Sequence, residues 1–512
     1  MREILYIQAG SLANYTGTHF WNTQESYFTY GDEADESLTD NDISFRESLA
    51  YKNEPLLCPR LLAFDRKANF GTLSRDLDDS DDQNSINGTP LWNGSVVEYR
   101  QTPIQKSTYH EQIDHENDTD GGEPNEPAVR YWSDFNRLYY TPKTVQKLPD
   151  VADWENKDGD WEDGNALFRR FDEDTALMED AVRTSAEACD SLQGVQLTYD
   201  TPTFGGFTTA LLTAVADEYA KVSLLAFPLL SDALSQQGGL DLDDHTGRRK
   251  ALNDALCLRA LHELVPMSVP IQSPGTWPQK RDDVKLKTDN IYHTSALLSA
   301  QIESCTLPLR LRKNGEDLAS FIAHLNWRGT THFAELSGLV DIDFDSRMFN
   351  YSSLDAPKAD SGKGETLEFA TRDVTRGFSR PQIAAHDKWR AGYHLRDPFL
   401  TSTHAPLYPI PTSFPAIFPA PSPTPLRVRA VPLFTSLSTT PRTSALFHRY
   451  AAFVDSQATL NMSNGGVNGG NGDGCGMDRD EIKELSEALW GICDGYDGEE
   501  PVNEDDHGED EE

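Results

Sequence analysis

The chain has 512 residues, and its 45 Lys and Arg against 83 Asp and Glu give a net charge of −38 at pH 7. This acidity excludes binding to a nucleic-acid backbone, which requires a basic face. Direct docking on an anionic lipid surface would require a local basic patch. No apolar run approaches the roughly 18 residues of a membrane span, and the first residues do not have the pattern of a signal peptide or presequence.

The first half of the chain alternates short apolar runs with helical patterns. The apolar runs predict strands at 3–8, 61–64, 195–198 and 222–230, and the helical patterns predict helices at 17–26, 172–192, 207–219 and 248–264. Apolar strands separated by helices predict an α/β fold with a parallel sheet that is buried on both faces. Residues 1–265 are assigned to this first domain, with acidic insertions near 31–42, 76–90 and 110–127.

The second half predicts a different organisation. Residues 266–440 are assigned to a second α/β domain, which contains a Pro-rich loop at 402–425. Residues 441–493 are assigned to carboxyl-terminal helices that are joined by a Gly/Asn-rich linker at 461–476. The last segment, 494–512, holds many acids and no Lys or Arg, and is predicted to be a disordered acidic tail.

A glycine pair between a predicted strand and a predicted helix is the strongest candidate for chemistry. Gly205 and Gly206 lie in a predicted loop at 200–206, shortly before Thr208. Phosphate cradles place glycines here, because glycine permits close backbone approach and a helix amino terminus favours negative charge. Pro202 has no N–H to donate, and Phe204 is bulky. A structural turn without a ligand is therefore the alternative.

Other candidates also lie where strands end. Gly10 and Asn14 follow the first strand, and Asp65 ends the second, where it is either a ligand-facing residue or a turn residue. Asn253 lies in a predicted helix and either reads a base edge or is solvated. No catalytic set and no metal-ligand set is found. Six scattered cysteines without a CxxC pair favour buried thiols in a reducing compartment.

Several segments together resemble tubulin. The first ten residues, MREILYIQAG, are similar to the tubulin amino terminus. Residues 192–198 (LQGVQLT) are similar to the segment that enters tubulin's glycine-rich phosphate loop, and 253–256 (NDAL) resembles tubulin's Asn-Glu-Ala-Leu. The resemblance implies a tubulin-like fold, with a nucleotide-type parallel-sheet domain, a second α/β domain and carboxyl-terminal helices. It also implies a GTP site that involves Gly10, Asn14, Asp65, Gly205, Gly206, Thr208 and Asn253.

The segments that differ from tubulin resemble the Misato family. The phosphate loop reads TPTFGGF at 201–207, the acid expected two residues after Asp65 is Lys67, and no Asn-x-Asp-x-x-Glu activation loop is recognised after Asn253. Residues 132–135 (WSDF), followed by 139–142 (YYTP), are similar to a Misato hallmark, and 204–207 (FGGF) resembles that family's Trp-Gly-Gly-Phe. Residues 270–274 (PIQSP) and 325–329 (LNWRG) are similar to its fungal branch.

The Misato resemblance implies a role in mitochondrial distribution, morphology and inheritance of mitochondrial DNA. We therefore expect a non-enzymatic organiser, without GTP hydrolysis, at the cytosolic face of the mitochondrion and in the cytoplasm. Its partners would be proteins of the mitochondrial surface, and its effect on mitochondrial DNA would be indirect. One alternative is a GTP-binding switch without efficient hydrolysis. Another is a partner or assembly factor of tubulin or its chaperonin.

Overall fold

The computed structural model describes most of the chain between residues 2 and 496. The described ranges are 2–28, 37–49, 55–71, 129–149, 160–234, 245–278, 284–340, 348–353, 368–391, 399–418, 429–463 and 477–496. The predicted insertions at 76–90 and 110–127 lie outside these ranges, as do 31–36 and 497–512. Within the first insertion, Thr39 is buried, with 2% of its surface exposed, and forms an antiparallel β-bridge with Leu311.

The first part of the chain forms a parallel sheet with helices on both faces. In chain order, its elements are β1 Glu3–Ala9, α1 Ser11–Glu25, β2 Phe45–Leu49, β3 Pro55–Pro59, β4 Leu61–Arg66, β5 Val145–Leu148, α2 Trp161–Thr175, α3 Arg183–Glu187, β6 Leu192–Asp200, α4 Thr201–Glu218, β7 Ser223–Leu229, α5 His245–Leu264 and β8 Met267–Ser268. The sheet order is β5-β4-β1-β6-β7-β8, and every adjacent pair is parallel. Strands β2 and β3 form a separate antiparallel hairpin. The predicted α/β class and its strands are confirmed.

A second sheet and two final helices complete the described structure. The elements are α6 Ile291–Cys305, α7 Leu318–Leu325, β9 Glu335–Leu339, β10 Phe349–Asn350, β11 Ala370–Arg376, α8 Arg380–Arg390, β12 Leu400–Ala405, β13 Tyr408–Pro409, β14 Ala430–Val431, β15 Leu433–Thr439, α9 Ser444–Ser463 and α10 Arg479–Asp494. The sheet order is β10-β9-β15-β11-β12, with β11 parallel to β12 and antiparallel to β15. The domain boundary near residue 265 stays a prediction.

Two hydrophobic clusters cover opposite faces of the first sheet. One includes side chains of α1 and α6 together with side chains of the second sheet, among them Phe20, Leu297 and Leu437. The other includes side chains of α2, α4 and α5 together with the two final helices. Because both faces of the sheet are covered, β1 is buried along its whole length.

Several predicted boundaries were wrong. Helix α1 begins at Ser11 rather than Gly17, because Gly10 has a φ of 106° and ends the strand abruptly. The predicted helix 172–192 is interrupted after Thr175, where Ala176 adopts a left-handed conformation. The Pro-rich segment 402–425 begins inside the edge strand β12, and the linker 461–476 begins inside α9.

The predicted disordered tail begins too early. Asp494 is the last residue of α10, and Tyr496 is fully buried. The Tyr496 hydroxyl lies 2.9 Å from the carbonyl oxygen of Phe333 and accepts a hydrogen bond from its N–H. A buried aromatic ring with a satisfied hydroxyl anchors the chain here, so residues 494–496 belong to the folded part.

Candidate functional site

The structure brings Gly10, Asn14 and Asp65 together at the carboxyl ends of β1 and β4. The Asn14 Nδ2 donates to the carbonyl of Phe64 at 2.8 Å and to the Asp65 carboxyl at 3.2 Å. Asp65 also accepts from the side chain of Asn69 and from the backbone N–H of Arg66, both at 2.8 Å. This is the sheet edge where ligands bind in open α/β folds.

The side chain of Asp200 occupies the amino terminus of α1. One of its carboxyl oxygens accepts from the N–H of Leu12 and the other from the N–H of Ala13, both at 2.9 Å. These amides are the anion-binding groups that a helix amino terminus would offer to a phosphate. A Cβ placed on Gly10 would lie 2.5 Å from an Asp200 oxygen, so this glycine is required for the close approach. The chain's own carboxyl group therefore fills the cradle.

The electrostatics of this cradle disfavour a second anion. Burial raises the pKa of Asp200 to about 7, against the opposing effect of the Leu12 and Ala13 amides, and the nearby Asp65 raises it further. Burial also raises the pKa of Asp65, although Asn69, Arg66 and Asn14 stabilise its charged form. Burial here disfavours negative charge on both carboxyl groups, and a phosphate would bring further negative charge into the same buried surroundings.

The predicted glycine loop at 200–206 was wrong, because these residues form the first turns of α4. The helix begins at Thr201, and Pro202 suits its first turn, where a missing N–H leaves no helical hydrogen bond unmade. A Cβ on Gly206 would lie 2.1 Å from the carbonyl oxygen of Trp161, and one on Gly205 would lie 2.7 Å from the sulfur of Cys257. The glycine pair thus allows α4 to cross α2 and α5 closely.

The aromatic residues beside these glycines are core residues. Phe204 and Phe207 are buried, and their ring centroids are 6.0 Å apart. The ring of Phe207 also contacts Phe64 on β4 and Phe168 on α2. The 204–207 motif therefore joins the helix to the sheet and to α2 by aromatic packing.

Thr208 and Asn253 both occupy buried positions on helices. Thr208 is fully buried inside α4. Asn253, on α5, donates to the carbonyl of Pro202 at 3.3 Å and so contacts the first turn of α4. The structure places Asn253 and the glycine pair in contacts between helices and buries Thr208 within α4, whereas Gly10, Asn14 and Asp65 line the sheet edge.

Sequence reasoning missed Asp254, which lies next to Asn253. Its carboxyl accepts from the hydroxyls of Thr201 at 2.5 Å, Ser231 at 2.6 Å and Tyr450 at 2.9 Å. Burial raises its pKa to about 6, against the effect of these donors. Asp254 therefore ties the start of α4 to the segment that follows β7 and to α9. No local sequence pattern predicts the hydrogen-bonding role of Asp254 or of Asp200, because the donors to their carboxyl groups come from distant parts of the chain.

We expect the titration of Asp200 to reduce stability as pH rises. Its folded-state pKa of about 7 exceeds the ordinary Asp value of about 3.9. Between these values the folded state binds more protons than the unfolded state, so the free energy of unfolding falls with rising pH. Asp200→Asn lacks this contribution. Urea denaturation from pH 4 to 8 should show wild type losing stability relative to the variant, by at most about 4 kcal/mol.

The exposed Asp174→Asn is the matched control for this pH series. The Asp174 side chain is 70% exposed on α2 and pairs with Arg170. The difference in free energy of unfolding between this variant and wild type should stay nearly constant from pH 4 to 8. A wild-type stability that rises with pH relative to Asp200→Asn would contradict the assignment.

The 132–135 motif is structural. Trp132–Phe135 forms a buried 3-10 turn whose Asp134 accepts from the backbone N–H of Arg130 at 2.9 Å and of Tyr131 at 3.2 Å. The Asn22 side chain of α1 donates to the carbonyl of Phe135 at 2.8 Å. This motif therefore supports α1, the helix whose amino terminus Asp200 occupies.

Comparison with known proteins decides the family. Residues 2–115 match the Misato Segment II tubulin-like domain, and residues 122–311 match the tubulin domain. The DML1 protein of Gibberella zeae is 32% identical over 76% of this chain and 74% of its own length. The chain belongs to the Misato/Dml1 family of tubulin-like proteins. The expected family and tubulin-like fold are confirmed.

Two other fungal relatives show how far the similarity extends. The dml1 protein of Aspergillus niger is 34% identical over 61% of this chain and 62% of its own length. That of Schizosaccharomyces pombe is 28% identical over 66% of this chain and 75% of its own length. The match to the Aspergillus relative thus spans about three fifths of that protein. In the described part of the chain, every helix falls short of the length or the apolar character that a bilayer span requires.

Proposed function

We propose that this tubulin-like protein is a non-enzymatic organiser that acts in mitochondrial partitioning, morphology and inheritance of mitochondrial DNA. The observation that carries the non-enzymatic part is the Asp200 carboxyl group on the amides of Leu12 and Ala13. The mitochondrial part rests on the Misato family motifs. The protein would act at the cytosolic face of the mitochondrion through contacts with proteins there.

Two features of the fold support a site without nucleotide. A phosphate would compete with a covalently attached carboxyl group, whose effective concentration at the cradle is high. The glycines that would wrap a phosphate are instead packed against Trp161, inside a helix. A GTPase needs a cradle that is open to phosphate and positively polarised. The Asp200 carboxyl group on the α1 amides therefore supports the non-enzymatic proposal.

One exposed aromatic side chain supports a role through protein contacts. Trp327, within the 325–329 motif, is 50% exposed. Its indole lies 4.6 Å from the ring of Phe399 and donates to the carbonyl of Phe369 at 2.9 Å. Held in place by these contacts, the ring is the kind of rigid aromatic anchor that protein interfaces use.

The nucleotide content of the purified full-length protein tests the non-enzymatic part. We expect neither GTP nor GDP in the supernatant after denaturation and ion exchange, and no saturable binding on titration with GTP and magnesium. Near-stoichiometric GTP or GDP would contradict the proposal and favour a GTP-binding switch. In that case Asn253→Ala would show whether Asn253 contributes to the nucleotide site.

Depletion in cells tests the mitochondrial part. We expect misplaced mitochondria and loss of mitochondrial DNA, both restored by wild type and equally by Asp200→Asn, since no nucleotide cycle is required. Normal mitochondria in depleted cells would contradict the role. Proteins that co-purify at native expression would identify the partner. Recovery of tubulin or chaperonin subunits in place of mitochondrial surface proteins would favour the assembly-factor alternative.

A further inference from the structure

A basic pocket lies at the edge of the first sheet opposite to the candidate site. Its cations are Arg46 on β2, Arg60 immediately before β4 and Lys143 in the turn that leads into β5. Asp65 lies at the other end of β4. The pocket is a shallow surface crevice that opens to solvent. It is therefore separate from the Asp200 cradle, and its chemistry is independent of the proposed function.

Hydroxyl groups line the same pocket. The Arg46 Nη2 donates to the hydroxyl of Thr141 at 3.1 Å, and that hydroxyl lies 2.9 Å from the hydroxyl of Thr144. Ser185 contributes a third hydroxyl to the lining. Thr141 and Thr144 are both buried. The pocket thus combines a guanidinium group with hydroxyls that can turn their hydrogens toward an acceptor.

Two of the three cations are already engaged. Arg60 donates to the backbone carbonyls of Phe45 and Ala188, and lies 3.9 Å from the carboxylate of Glu3. The Lys143 ammonium pairs with Asp180 at 2.6 Å. These contacts fix the position of both charges without cancelling the charge of the whole pocket.

Arg46 is the cation of the pocket whose charge no described carboxylate neutralises. Among the described residues, no carboxylate oxygen forms an ion pair with its guanidinium group. Three cations against the carboxylates of Glu3 and Asp180 leave one net positive charge. In a chain with a net charge of −38, such a pocket attracts an anion locally while the surrounding surface repels extended polyanions.

We propose that this basic pocket binds a phosphate group. The planar guanidinium fork of Arg46 matches two phosphate oxygens, Lys143 supplies a point charge, and the threonine hydroxyls supply neutral donors. A phosphate on a soluble small molecule and one on a lipid headgroup present the same chemistry to these groups. The pocket is the local basic patch that a lipid headgroup would require on so acidic a chain.

Titration of the full-length protein with inorganic phosphate, followed by calorimetry at low salt, is the first test. We expect saturable binding that weakens as sodium chloride is raised, because the attraction is electrostatic. Arg46→Gln should weaken it at least about tenfold, since a charged donor to phosphate is lost. Lys143→Met gives a second reading of the same site if Arg46→Gln does not fold.

Arg170→Gln is the matched control, because it removes the same charge from an exposed position. The Arg170 side chain is 79% exposed on α2 and pairs with Asp174. Its phosphate affinity should equal that of wild type. A phosphate affinity that Arg46→Gln and Lys143→Met leave unchanged would overturn the assignment.

Sedimentation with phosphatidylcholine vesicles, with and without a phosphorylated inositol lipid, distinguishes the two sources. Binding only to the phosphorylated vesicles, lost in Arg46→Gln, would assign the pocket to a lipid headgroup. Inorganic phosphate binding without vesicle binding would assign it to a soluble phosphate compound. Failure of both probes to bind at low salt would overturn the proposal.

Discussion

Glu303→Gln is expected to lower the free energy of unfolding by about 3–5 kcal/mol, the usual cost of removing one partner of a buried ion pair. Glu303, on α6, pairs with Arg376 of β11 at 2.9 Å and with Arg310 at 3.3 Å, and all these side chains are almost completely buried. It also accepts from Gln24 and Tyr27, both at 3.1 Å. In the part of the chain that the structure describes, Glu303 is the carboxylate that pairs with both guanidinium groups, so the neutral variant removes their shared counter-charge. Urea denaturation would measure the loss.

The exposed Glu487→Gln is the control for this substitution. The Glu487 side chain is 68% exposed and pairs with Lys483 on the same helix at 3.3 Å, so the change should cost at most about 0.5 kcal/mol. Adding Arg376→Met to Glu303→Gln should restore part of the loss, because one unpaired charge is then removed. A cost for Glu303→Gln no greater than that of the control would contradict this account.

Gly206→Ala is expected to destabilise the protein by about 3 kcal/mol, the upper part of the usual range for overpacking a core. The added Cβ would lie 2.1 Å from the backbone carbonyl oxygen of Trp161. A backbone atom cannot rotate away as a side chain can, so α2 and α4 would have to separate. Their separation would also disturb the contact between Phe168 and Phe207. Thermal and urea unfolding would both report the loss.

Gly491→Ala is the matched control for the glycine effect. Gly491 lies in α10, is exposed, and a Cβ built there meets no atom within 4 Å. Alanine should therefore stabilise this helix, by up to about 1 kcal/mol. If Gly206→Ala were tolerated as well as Gly491→Ala, the glycine pair would not serve helix packing, and a role in binding would have to be reconsidered.

The sequence predicted the four central strands of the first sheet well, missed the edge strands β5 and β8, and placed helix boundaries poorly. A strand buried on both faces must be apolar throughout, so the β1 and β6 runs stand out in the sequence. Helix ends depend on local hydrogen bonds that the amphipathic pattern does not contain. A proline followed closely by two glycines suggested a loop at 200–206. Proline is nevertheless well suited to a first helical turn, and the glycines face neighbouring helices.

For the candidate site too, local sequence patterns predicted some features and only the packed structure decided others. The sequence alone determined the class of fold, the family and the placement of Gly10, Asn14 and Asp65 near the carboxyl ends of two strands, because each depends on short local patterns. The structure places Asn14 in the first turn of α1. Only the tertiary structure decided that Asp200 fills the amides at the start of α1. Its carboxyl group and the amide of Ala13 are 187 residues apart in the chain. Burial beside Asp65, which sets the pKa of Asp200, is likewise a property of the packed structure.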